Sequence, residues 1–325
     1  MKNKAISVAI VVLILGTLLI KVITLPPKVK TAKLINIPEG ATAVDIALLL
    51  KENGIIKQSG WFLYLTKRYN VQKKLQAGLY EFSNRTALKK VIRKIVQGDV
   101  ILVKITIPEG STIKNIAVIL ENNGLVSKEE FIQYALEQEH LEGQLFPDTY
   151  LFPHIISTEA ITSTMNKRFK EMFAEISGAQ MTDENYKKAL EIITIASIVE
   201  KEAMYDDERK IIAGIIYKRL QSHIPLQSCA TVIYATGEIK SRLTTSDLNV
   251  KSSYNTYIHK GLPPGPICNP SSSSIKAALN PEKTDYLYFV SMGDGRNYFS
   301  KTYAEHLAAT KRFLSSGAPN NTSSD

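Results

Sequence analysis

Ile195-Ala196-Ser197-Ile198-Val199-Glu200-Lys201-Glu202-Ala203 closes a run that reads as helix from Asp183 to Met204. Two carboxylates interrupt a face that is otherwise Ile, Val and Ala. A carboxylate among aliphatic neighbours is costly to ionise, so it keeps its proton to higher pH. Successive helical residues advance about 100°, which turns Glu200 and Glu202 roughly 200° apart. They cannot serve one cleft together. Three, four and seven positions before Glu202 stand Val199, Ile198 and Ile195, an unbroken apolar stripe. The same steps back from Glu200 reach Ser197, Ala196 and Ile193, a smaller and more polar set. Glu202 is therefore the expected proton donor, and Glu200 the more solvated or structural carboxylate. A protonated acid near neutral pH is what cleavage of a glycosidic bond requires. The competing expectation is that Glu202 is a helix-end acid paired with a base such as Arg209.

The 325 residues carry 40 Lys and Arg against 31 Asp and Glu, a net charge of +9. Such an excess points to an anionic setting: lipid headgroups, wall polymers or nucleic acid. No Lys/Arg block alternates with aromatics as on a nucleic-acid platform, so no nucleic-acid partner is expected and a solvated basic surface accounts for the charge. The five histidines show no HExxH spacing and there is no CxxC, so no metal site is expected. With no Walker loop, GxGxxG or GxSxG elbow either, no cofactor is expected. Cys229 and Cys268 are the two cysteines, and their spacing leaves open whether they pair.

Residues 5–20 are uncharged, and after Lys21 the apolar run resumes to Leu25. At about 1.5 Å per residue, 5–25 just crosses a hydrocarbon core of roughly 30 Å. Small residues for a signal-peptidase site are lacking between Leu18 and Leu25, so the segment reads as a retained anchor. The four-residue tip before it places the N-terminus in the cytoplasm and everything after Pro26 outside.

Ile37-Pro38-Glu39-Gly40 recurs as Ile107-Pro108-Glu109-Gly110, 70 positions later, and Asn53-Gly54-Ile55 recurs as Asn123-Gly124-Leu125. Each copy reads as strand, turn, helix with a glycine cap, and the start of a second helix. Gly78–Phe82 reads as a strand, and 89–97 as an amphipathic helix with Val91, Ile92, Ile95 and Val96 on its apolar stripe. This layout resembles LysM modules, which bind N-acetylglucosamine-containing chains. Small spacers holding the C-terminal half off a membrane fit it equally well.

Beyond Leu141 come Glu142-Gly143-Gln144-Leu145-Phe146-Pro147-Asp148-Thr149-Tyr150, rich in turn formers and aromatics, then helical runs at 157–176 and 183–204. Asp148 reads as a cap. Asp206-Asp207-Glu208 opens a further helix, where acids suit the macrodipole. A hairpin is expected at 286–290 and 298–300, turning through Gly293-Asp294-Gly295.

The ordered set EGQLFPDTY, ASIVEKEA, ERK, LQS..TVIYA, YNTY, GLPPGPI and YLYFV resembles the YceG-like (MltG) family of endolytic murein transglycosylases over essentially the whole chain. Two positions depart from it. Cys229 stands where the family often has Asp, and Ser271 where it commonly has Gly. The resemblance implies a bacterial membrane-anchored lyase that cuts nascent peptidoglycan strands internally, with peptidoglycan synthases as possible partners. It also places the catalytic Glu at Glu202. Gln227, Tyr254, Asn255, Thr256 and Tyr257 are candidate sugar contacts, and Glu200, Glu208 and Arg209 supporting residues. A non-catalytic wall-binding scaffold and a hydrolytic muramidase are the rival readings.

The expected fold is thus α+β: a transmembrane helix, two small LysM-like α+β modules, and a mainly helical catalytic domain with a small β-sheet. In residues these are a tip at 1–4, an anchor at 5–25, modules at 34–103 and 104–140, a catalytic domain at 141–314, and a disordered tail at 315–325.

Overall fold

The structure is a computed structural model and describes residues 32–82, 86–138, 141–238 and 243–314. The expected tip, anchor and tail lie outside the described residues, among which no helix is long and apolar enough to cross a membrane. Two compact units divide the chain. The first holds the described residues up to Lys104 together with Leu151–Ile156, and the second holds Ile105–Tyr150 with those from Ser157 onward.

In the first unit, β1 (Lys33–Ile37) pairs antiparallel with β2 (Gly78–Phe82), Lys33 opposite Phe82 and Ile37 opposite Gly78. Between them lie α1 (Ala43–Glu52) and α2 (Ser59–Arg68), and α3 (Leu88–Gln97) follows. Ile35, Leu50, Phe62, Tyr80, Phe82 and Ile95 fill the centre. Val91, Ile92 and Ile95 of α3 are buried as the helical period predicts.

The repeat has a physical basis in its caps. Thr42 accepts the Asp45 N–H while Asp45 accepts that of Thr42, and Thr112 and Asn115 do the same 70 positions on. The helices that follow, α1 and α4 (Ile113–Asn122), occupy matching positions. Their sheets differ, because β3 (Leu102–Thr106) pairs with β4 (Thr149–Pro153). That strand lies where only turn formers and aromatics were legible. Its period-two burial rests on just Tyr150 and Phe152.

The rest of the second unit is mainly helical: α5 (Lys128–Glu137), α6 (Thr158–Ser177), α7 (Tyr186–Glu202), α8 (Asp206–Gln221), α9 (Cys229–Thr236), the short α10 (Thr245–Leu248), α11 (Ser272–Leu279) and α12 (Tyr303–Leu314). β5 (Tyr288–Ser291) and β6 (Asn297–Ser300) form the expected hairpin, with Val290 opposite Tyr298. The core helix is α7. Every residue from Ile193 to Val199 is buried, so this segment is enclosed on all sides by α8, α9 and α11. Its two hydroxyls are satisfied internally: Thr194 donates to the Leu190 carbonyl at 2.8 Å and Ser197 to that of Thr194 at 2.7 Å. Ser197 also accepts the Ile267 N–H at 3.0 Å, which pins the proline-rich loop to the core helix.

Gly143 shows how tightly that loop is seated. Its φ is +83°, and a Cβ there would sit 2.5 Å from Pro266 and 3.0 Å from Ile193. Gly143→Ala is expected to lose about 2–4 kcal/mol, combining the left-handed penalty with overpacking. A fall in the urea midpoint at unchanged m-value checks this.

Candidate active site

Glu202 is the last residue of α7, at the point where the buried core helix gives way to an extended Ala203. The Ser228 hydroxyl donates to its Oε1 at 2.5 Å. Burial raises the carboxyl above its ordinary pKa. Ser228, the Ala230 N–H and the charge of Arg219 pull less strongly the other way. The side chain faces a cavity of about 480 Å³, lined in part by Ile113, Leu136, Glu142, Cys229, Tyr234 and Ile267. A mostly apolar cleft around a carboxyl that favours its proton is the environment of a general acid.

A second carboxyl shares this cavity. Glu142 accepts the Ile113 N–H at 3.2 Å, the Tyr234 hydroxyl at 3.3 Å and the Asn269 side-chain amide at 3.2 Å. Burial nevertheless pushes it up to about 7, against those donors and the charge of Lys201. Sequence reasoning assigned Glu142 no role. The signal available was a Glu beside a glycine at the head of the EGQLFPDTY motif, and no helical or strand period picks it out.

Asn269 ties the walls together. Its side chain accepts the Leu145 N–H at 2.7 Å and donates to the Ser111 carbonyl at 2.9 Å, while its backbone carbonyl takes the Gly110 N–H at 2.9 Å. The second IPEG turn, the EGQLF segment and the proline loop thus meet at one amide.

Glu200 departs from expectation. Its side chain is only 6% exposed, so it is structural but not solvated. It pairs with Arg209 at 3.2 Å and accepts the Ser271 N–H at 2.9 Å and the Ser271 hydroxyl at 2.6 Å. The Arg209 ion pair considered for Glu202 therefore belongs to Glu200. Ser271, one of the two departures from the family pattern, supplies both the cap of α11 and a hydroxyl to this cluster. Glu208 is buried and holds Asn297 of the β-hairpin through that residue's backbone and side-chain N–H groups, at 3.1 and 2.9 Å.

The candidate sugar contacts stand mainly behind the cavity. Thr256 accepts the Ser228 N–H at 3.0 Å and shares a hydrogen bond with Thr231 at 2.9 Å, so it positions the serine that grips Glu202. Asn255 is fully buried and donates to the carbonyls of Leu248 and Val250. Gln227 adopts φ +49° and donates its N–H to the Thr256 carbonyl. Tyr254 packs its ring 4.9 Å from that of Tyr234, the donor to Glu142, and the Tyr257 hydroxyl lies 3.2 Å from Cys229 Sγ. The side chains of Asn255 and Thr256 are spent on protein partners because an irregular loop must satisfy its own buried polar groups.

Cys229 and Cys268 are not joined in a disulfide. Burial and the neighbouring Glu202 push the Cys229 thiol up to about 12, so it stays neutral where the family often has a carboxylate.

The profile of the YceG-like family matches residues 35–312. The chain belongs to the YceG-like family. It is similar to the endolytic murein transglycosylase of Bacillus subtilis, 36% identical over 314 residues that cover 88% of this chain and 86% of that relative. It is also similar to the endolytic murein transglycosylase of Streptococcus pneumoniae strain D39, at 29% identity over 84% of this chain. The chain spans about half the length of that relative, 56%. Among solved structures, a YceG-like protein of Listeria monocytogenes superposes with a TM-score of 0.56 at 35% identity, covering 87% of this chain and 99% of that one.

Glu142 carries a stability signature. Its folded value of about 7 lies above the ordinary 4.5, so the folded state holds the proton longer than the unfolded chain. The stabilisation is complete below pH 4.5 and is lost as pH rises to about 7, by at most about 3 kcal/mol. In Glu142→Gln the decline should shrink, leaving the part due to other raised carboxyls such as Glu202 and Glu109, which chemical denaturation across that pH window measures.

Proposed function

We propose that this chain is an endolytic murein transglycosylase in which Glu202 is the general acid. Glu202 carries the reading: its carboxyl favours the protonated form and faces a mostly apolar cavity from the end of the core helix. The printed activity of the Bacillus and Streptococcus relatives supports the substrate class.

In this mechanism Glu202 gives its proton to the oxygen between MurNAc and GlcNAc as positive charge develops at C1 of MurNAc. The resulting carboxylate, steadied by the Ser228 hydroxyl, then takes the proton of the sugar's own C6 hydroxyl, whose oxygen closes the 1,6-anhydro ring. An intramolecular hydroxyl is held at high effective concentration, so no second carboxylate is required to activate it. Proton transfer of this kind supplies about 10²–10⁴ in rate. Cleaving nascent strands internally would end their elongation.

Hydrolysis is the second reading, and Glu142 is the observation that favours it. A second carboxyl in the cavity could activate water, as in inverting and retaining glycosidases. A pKa of about 7 leaves part of the carboxyl ionised and able to accept a proton at neutral pH, so this reading weakens only as pH falls below that value.

The wider setting belongs to the same proposal. Residues 5–25 anchor the chain in the bacterial cell membrane, with the catalytic domain outside the cytoplasm. The IPEG modules are LysM-like, and peptidoglycan synthases are the candidate partners. The uncharged N-terminal run and the repeat support this part.

Glu202→Gln is expected to remove strand cleavage, a loss of at least 10² in rate, while the fold persists. Mass analysis of products from uncrosslinked glycan checks this and separates an anhydro end from a reducing end, which is heavier by one water. Undiminished cleavage by the variant would reject Glu202, and glycan binding without turnover by the wild type would favour a scaffold. Ser228→Ala removes a donor that favours the charged carboxylate, so the alkaline limb of the pH–rate profile should move to higher pH.

A further inference from the structure

The positive charge of this chain is segregated. Residues 32–104 carry thirteen Lys and Arg against five Asp and Glu, a net +8, while residues 105–325 carry twenty-two against twenty-six, a net −4. Within the first unit the excess gathers on α2 and α3. No Asp or Glu occurs between Glu52 and Glu81, nor between Glu81 and Asp99. Lys67 and Arg68 on α2 are exposed, as are Lys89, Lys90 and Arg93 on α3.

Aromatic side chains share this face. Trp61, Tyr64, Arg68 and Tyr69 form one wall of an open groove of about 840 Å³, and Ala87, Leu88 and Lys89 form another. Trp61 and Tyr64 meet edge to face at 5.7 Å, and Tyr64 and Tyr69 are 56% and 46% exposed. Exposed amphipathic rings among unopposed cations suit a bilayer interface, where rings settle at headgroup level and each Lys or Arg near an anionic surface favours contact about fivefold. A neutral sugar backbone would give no reason to exclude acids from two neighbouring helices, and exposed rings beside the cations favour a bilayer interface over an anionic wall polymer. Chain length agrees. Seven residues separate Leu25 from Lys33, a reach of at most about 25 Å, so a chain anchored through 5–25 keeps this unit close to the membrane.

We propose that the α2–α3 face of the first unit docks on the anionic phospholipid surface of the bilayer, with Trp61 and Tyr64 among the headgroups. The reach argument rests on the anchor reading given above, whereas the charge and aromatic arguments do not. Docking would confine the enzyme to strands still close to the membrane.

Trp61 is the single tryptophan of the chain, so its fluorescence reports on this face alone. The full chain is mixed with vesicles of brominated phosphatidylcholine, with or without brominated phosphatidylglycerol, and flotation is scored alongside emission. The expected result is quenching and a blue shift of Trp61 in the phosphatidylglycerol vesicles. Both should be lost in high salt and in the exposed triple variant Lys89→Glu, Lys90→Glu and Arg93→Glu. Flotation with both vesicle types but with Trp61 unquenched would overturn the proposal and leave the anchor intact. Failure to float on phosphatidylcholine with quenching on phosphatidylglycerol would sink the anchor and retain the docking face. A Trp61 shift on adding soluble uncrosslinked glycan, without quenching by either lipid, would assign the groove to sugar and reject the lipid.

Discussion

The catalytic unit depends on how two glutamates at the end of one buried helix are treated differently. Glu200 is neutralised by Arg209 and by the capping N–H and hydroxyl of Ser271, so its burial beside α8 and α11 is compensated. Removing one member of such a pair typically costs about 3–5 kcal/mol, because the other is left buried and uncompensated. With Arg209 engaged there, Glu202 meets its cavity with the Ser228 hydroxyl, the Ala230 N–H and the charge of Arg219 as the groups that favour its charge. One carboxylate fastens the helix end, and that leaves its neighbour able to keep a proton.

Around this pair the cavity is assembled from segments far apart in the chain. Asn269 joins the second IPEG turn, the EGQLF segment and the proline loop. Thr256 holds Ser228, which in turn holds Glu202. The YNTY loop thus shapes the acid from behind, and the cavity wall comes mainly from α4, α5, α7 and α9. A second carboxyl, Glu142, lines the same cavity, and burial places the change in its protonation state near pH 7.

The first unit is built on the same strand, turn and helix plan but carries a different surface. Its capping box and buried stripe repeat those of the second copy, while its residues 32–104 carry a net +8 against a net −4 for residues 105–325. Packing determines the plan and solvent-facing positions are free to diverge, so two copies of one module can serve different surroundings.

What the sequence determined by itself were the features governed by local physics. The IPEG repeat, the buried stripe leading to Glu202, the glycine hairpin and the divergence of Glu200 from Glu202 follow from periods of 3.6 or 2 and from turn chemistry. The ordered motifs also identified the family. Tertiary structure alone decided which cation meets which glutamate, that Glu142 enters the cavity, that Thr149–Pro153 forms a strand, and that Asn255 and Thr256 are interior props. Each of those depends on which residues outside the local period are brought within hydrogen-bond distance, where desolvation and hydrogen-bond satisfaction act, and no local period encodes which partner arrives.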